Sequence, residues 1–133
     1  MDEDRSPLPD DAFTGRVIGL LYDVYRTVGS GRPEARYRTA FRSALVEAGI
    51  PVARGKVQSL TYGERVVGRY RVDFVLNGEL AVEFARGNSI PAEDFSRTLC
   101  YLRDSGLQLA LLAVFGDHEL RIKRVILTRE TEE

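Results

Sequence analysis

Apolar positions recur at helical spacing through Val17, Ile18, Leu20, Leu21, Val24, Tyr25 and Val28, which predicts an amphipathic helix that ends at Gly29-Ser30-Gly31. A second helix follows, with Pro33 in its first turn, where a missing N–H costs nothing. Tyr37, Ala40, Phe41, Ala44, Leu45 and Ala48 line one face of it, and Gly49 and Pro51 stop it. Beyond Pro51 the pattern shifts towards strands. Val57 to Tyr62, Val66 to Leu76 and Glu79 to Phe84 are rich in β-branched and aromatic residues and read as strands, with Asn77-Gly78 as a hairpin signal. Pro91 opens a third helix, Ala92 to Asp104, which Gly106 ends. Leu107 to Phe115 is almost continuously apolar, the pattern of a strand buried on both faces, and Leu120 to Leu127 is the last strand. The predicted order is α-α-β-β-β-α-β-β: a mixed sheet flanked by helices, in the α/β or α+β class.

A chain of 133 residues at 44% apolar content suits one core. The expected organisation is a flexible lead-in over residues 1–12, one domain over 13–127 and a polar tail over 128–133. Nineteen Lys and Arg against twenty Asp and Glu give a net charge of -1, which excludes a chain-wide positive field. Any nucleic-acid contact must therefore come from a local patch. A lone cysteine, Cys100, rules out an internal disulfide and a structural zinc site and fits a reducing compartment. The start is acidic where a signal peptide would be basic, and no apolar run approaches the roughly 20 residues of a membrane span. These features lead to the expectation of a cytoplasmic protein with no membrane contact.

Three carboxylates stand out by their settings. Asp73 interrupts an apolar strand, Glu83 interrupts its neighbour, and Glu34 lies in the first turn of the second helix. A charge inside an apolar strand is costly unless it is paired or coordinates a cation. Two on adjacent strands repel each other, which a divalent ion relieves, and hard oxygen ligands select magnesium or manganese. The competing reading is a set of structural ion pairs, with Arg71 and Arg86 nearby. Strand parity separates the cases. A two-residue loop at Asn77-Gly78 would put Asp73 and Glu83 on opposite faces, whereas a three-residue loop, or a bulge of the same effect, sets Asp73 directly across from Glu83. The metal reading requires the second register.

Gly31-Arg32-Pro33-Glu34-Ala35-Arg36-Tyr37 fits a GxxExxY pattern. Further on stand Tyr70-Arg71-Val72-Asp73-Phe74-Val75-Leu76, Ala81-Val82-Glu83-Phe84-Ala85, Cys100-Tyr101-Leu102-Arg103 and the Leu111-to-Phe115 strand with Lys123-Arg124. In order and spacing, over roughly residues 14–127, this set resembles the GxxExxY family of the PD-(D/E)XK nuclease superfamily. The resemblance implies a restriction-endonuclease-like core and a site in which Glu34, Asp73 and Glu83 bind magnesium. The chain departs from the family at Ala85, where a lysine is expected two residues after Glu83, and at Arg97, where glutamine is common.

Arg97 is therefore expected either to stabilise transition-state charge, though not to act as a base, or to pair with Glu83 or Asp73 in a protein that has lost catalysis. Arg86 is out of phase with Glu83, and Lys56 reaches the site only if the first strand borders it. Arg32, Arg36, Arg38 and Arg42 share the helix of Glu34; of these Arg32, Arg36 and Arg42, together with Arg86, are the candidate nucleic-acid contacts. Tyr37, Tyr101 and Cys100 read as buried groups and His118 as a surface residue. The leading expectation is a magnesium-dependent phosphodiesterase on DNA, with Glu34, Asp73, Glu83 and Arg97 at its site. The alternatives are an inactive nuclease-fold protein that binds nucleic acid or a protein partner, and an interaction domain that forms a homodimer.

Overall fold

The computed structural model describes residues 8–89 and 92–127. The expected polar tail, Pro91 and most of the lead-in lie outside these residues. Asp10 accepts the Phe13 N–H at 2.7 Å and so starts helix α1 (Asp11–Val28) two residues inside the stretch expected to be a lead-in. The buried stripe Thr14, Val17, Leu21 and Val24 packs with Tyr37, Phe41 and Leu45 of α2 (Glu34–Glu47). Tyr37 ties the two helices together. Its hydroxyl donates to the Gly29 carbonyl at 2.6 Å, and its ring stacks on Phe115 with centroids 4.2 Å apart.

Seven strands occur among the described residues, two more than the pattern predicts. They are β1 (Val52–Ala53), β2 (Gln58–Tyr62), β3 (Arg65–Tyr70), β4 (Phe74–Leu76), β5 (Leu80–Arg86), β6 (Leu109–Phe115) and β7 (Leu120–Ile126); α3 (Ala92–Ser105) joins β5 to β6. Five of them form one sheet in the order β1-β4-β5-β6-β7, while β2 and β3 pair apart from it as a hairpin. The sheet is mixed. β5 and β6 run parallel because α3 carries the chain back between them, and the other neighbours are antiparallel.

Alternation along β5 divides the interior. Leu80, Val82 and Phe84 point into the core under α1 and α2, whereas Ala81 joins Tyr101, Leu102 and Leu112 under α3. β6 lies in the middle of the sheet and is buried along its whole length, as its apolar run predicts. Each large side chain so buried contributes roughly 1.5–3 kcal/mol. Helices on both faces of a mixed sheet make this the restriction-endonuclease-like architecture that the resemblance implies. Among the described residues no helix is long and apolar enough to cross a membrane.

One expected strand is divided. The run from Val66 to Leu76 leaves the hairpin at Tyr70, bends through Arg71 to Asp73, and only then joins the sheet as β4.

Candidate functional site: an acid pair and an arginine cleft

The β4–β5 turn decides where the acids meet. Asn77 and Gly78 both adopt positive φ, 53° and 68°, and the Glu79 N–H closes the turn on the Leu76 carbonyl at 3.0 Å. Asparagine and glycine are the residues that tolerate this conformation. Glu79 is then an extra residue, so Leu76 faces Leu80 and Phe74 faces Val82. One step further along the same register puts Asp73 opposite Glu83. The two acids converge, as the metal reading requires.

Their oxygens are already engaged. The Asp73 N–H donates to Glu83 Oε1 at 3.1 Å, and the Phe84 N–H donates to Asp73 Oδ2 at 2.7 Å. These side chains accept backbone donors just past the last paired residues of the β4–β5 ladder, which is why β4 begins only at Phe74. The Tyr70 hydroxyl donates to Glu83 Oε2. Asp73 Oδ1 accepts from Arg38 Nε at 3.0 Å, and the same guanidinium reaches Glu34 Oε2 at 3.2 Å. Arg38 thus bridges the helix acid and the strand acid.

Burial, followed by a hydrogen bond and charge repulsion from Asp73, pushes the Glu83 carboxyl up to about 8. Burial and the neighbouring Glu83 raise the Tyr70 hydroxyl, which stays a donor. Arg38 works against its own burial, but the carboxylates of Asp73 and Glu34 raise it and fix its charge. Without a cation, the raised Glu83 carboxyl favours its protonated form, and with the Arg38 guanidinium this relieves the like-charge conflict of the pair.

Whether magnesium fits here follows from the donors. Asp73 and Glu83 are adjacent, but the third acid, Glu34, is held on Arg38, and among the described residues no group of three metal-binding side chains is placed around one point. Asp73 and Glu83 are the residues that would hold such an ion, with water completing its shell.

Arg97 does not pair with Glu83 or Asp73. It pairs with Asp94 at 2.8 Å, and its guanidinium lies 4.9 Å from the Tyr70 ring centroid, one side chain away from Glu83. Ala85 follows Glu83 by two along β5 and so shares its face. Lys56 lines a separate hollow with Tyr101 and Ser105. Arg86 is exposed at the end of β5, and Arg36 borders an apolar hollow between the helices. Arg32 is exposed in the α1–α2 link, where its N–H donates to the Tyr37 hydroxyl. Tyr37 and Tyr101 are buried and His118 is exposed, as their settings suggest, whereas Cys100, expected to be buried, is half-buried. Arg42 alone of the four candidate contacts lines the open cleft of about 470 Å³ beside the acid pair.

Two residues of the acid site escaped the sequence reading. Arg38 had a signal, since Glu34 and Arg38 stand at the i,i+4 spacing that favours a helix ion pair. Tyr70 had none, because only the bend between β3 and β4 turns it towards Glu83.

The chain matches the family model of the PD-(D/E)XK nuclease superfamily over residues 11–125. No curated protein matches it. A solved structure described as "Crystal structure of SSO0001" is similar in fold, with a TM-score of 0.54 at 15% identity. That likeness covers 74% of this chain and 56% of the other, so the chain spans little more than half of that neighbour's length. The mixed sheet, the paired strand acids and the match across nearly the whole domain lead to one conclusion: the chain belongs to the PD-(D/E)XK nuclease superfamily.

Proposed function

We propose that this protein belongs to the GxxExxY branch of the superfamily and binds nucleic acid without cutting it. One observation carries the reading: the Arg38 guanidinium spans Glu34 and Asp73, while Ala85 stands where the superfamily's lysine is expected. An arginine so placed compensates the acids by direct hydrogen bonds and cannot take a proton. A methyl group at position 85 offers no charge to orient water or to stabilise a five-coordinate phosphate. The arginine cleft beside the pair supports retention of a polyanion.

The test is incubation of labelled single- and double-stranded DNA with the protein in millimolar magnesium or manganese. The expected result is salt-sensitive retention with no products, unchanged in Asp73→Asn. Metal-dependent products that vanish in Asp73→Asn would overturn the reading.

A second reading, a magnesium-dependent phosphodiesterase, draws on the convergence of Asp73 and Glu83 in register. It predicts those products, and with them a rise in thermal stability on adding the metal.

A further inference from the structure

Arg38, Thr39, Arg42 and Ser43 occupy one side of α2, since residues four apart on a helix stack on the same face. Across the cleft stand Arg54, from the β1–β2 connection, and Arg71, from the bend before β4. Gly55 brings the two segments of this second wall together. A Cβ there would lie 2.7 Å from Val72 Cγ2 and 2.8 Å from the Val72 carbonyl, so only glycine lets the connection carrying Arg54 press against the bend carrying Arg71. Arg42 rests over the Phe74 ring, 5.3 Å from its centroid.

Among the described residues no ion pair includes Arg42, Arg54 or Arg71. Three guanidinium groups from three segments therefore face one hollow without carboxylate partners, in a chain whose charges otherwise nearly cancel. Arg69 and Arg65, on the strand that leads to Arg71, are likewise exposed and outside any described ion pair.

Resting on the reading above, we infer that this cleft is a binding site for the sugar–phosphate backbone of a nucleic-acid strand, held by Arg42, Arg54 and Arg71 and assisted by the hydroxyls of Thr39 and Ser43. It is indifferent to base sequence. No asparagine or glutamine lines it, and its acid, Asp73, is committed to Arg38 and to the Phe84 N–H. Arginines and hydroxyls on phosphate oxygens position a strand but do not read it.

The experiment is fluorescence anisotropy of labelled single-stranded oligonucleotides of two unrelated sequences, titrated with the full chain across a salt series. The double variant Arg54→Ala/Arg71→Ala is expected to weaken binding about tenfold and to lower the slope of log K against log salt by about 1.4, roughly 0.7 for each lost phosphate contact. Arg54→Lys/Arg71→Lys should recover most of that slope, and Arg32→Ala/Arg36→Ala should change it less. The two sequences should bind alike. Undiminished binding by the alanine double variant would sink this assignment and leave the parent reading standing. So would competition by inorganic phosphate as strong as competition by unlabelled oligonucleotide. No binding by the unaltered chain at any salt concentration would sink the parent reading itself.

Discussion

Two charged regions lie side by side on this molecule and treat their charges in opposite ways. At the end of the β4–β5 hairpin, every carboxyl oxygen of Asp73 and Glu83 has a donor: two backbone N–H groups, a tyrosine hydroxyl and an arginine. In the adjoining cleft, Arg42, Arg54 and Arg71 stand without carboxylate partners among the described residues. Arg38 lines the cleft but is spent on the acids. Charges satisfied by their own chain hold structure together, and charges left open are available to a ligand. On the proposed function, the acids belong to the frame and the arginines are the working surface.

This contrast can be broken by substitution. The largest effect is expected from Asp73→Ala. It strands the Phe84 N–H at the sheet end and takes one carboxylate from Arg38, and it should lower stability by about 2 kcal/mol. A shift in the urea midpoint at unchanged slope would measure it; no shift would mean that the acid is not part of the frame.

The proton on Glu83 comes next. Its carboxyl is raised in the fold, to about 8 from 4.5, so the folded chain binds an extra proton between those values. The stabilisation is complete below the ordinary carboxyl range and is lost as pH rises through about 8. The thermal midpoint should therefore fall over that window, by the equivalent of about 1–2 kcal/mol once partial solvent screening is allowed for. In Glu83→Gln, which imitates the protonated acid, that contribution should disappear.

A smaller effect belongs to Arg38. Its removal should cost about 1 kcal/mol, because both of its ion pairs are partly exposed. Combined with Asp73→Ala it should cost less than the sum of the two, since the changes share one interaction. Strict additivity would show that the guanidinium and Asp73 do not hold each other. The smallest effect is expected across the cleft. Arg54→Ala and Arg71→Ala should each leave stability within about 0.5 kcal/mol, as exposed residues outside any described ion pair do, while strand binding falls.

Much of this arrangement was legible in the chain. The helices followed from their apolar stripes, the buried β6 from its unbroken run, and the acid convergence from parity once the loop length was posed as the deciding question. Loop length itself was not legible. Asn77-Gly78 is equally at home in a two-residue hairpin, and only the ladder resuming at Leu80 makes Glu79 the extra residue. The break between β3 and β4 was hidden because Tyr70 to Leu76 alternates well enough to pass for one strand. Its cause, side-chain oxygens accepting the next backbone donors, is a tertiary fact. The same break explains why Arg97 lies over Tyr70 and not on the acids, and why Arg38, from the other helical layer, reaches Asp73 at the sheet's end.

The central claim is that the acid pair is balanced by its own protein and not by a metal. It is tested most directly by the thermal midpoint at about pH 8.5, where Glu83 is largely ionised, with and without millimolar magnesium or manganese at matched ionic strength. A ligand that binds only the folded state must raise that midpoint. The account predicts no rise beyond the salt control. A rise of several degrees in the unaltered chain that is absent in Asp73→Asn would contradict it.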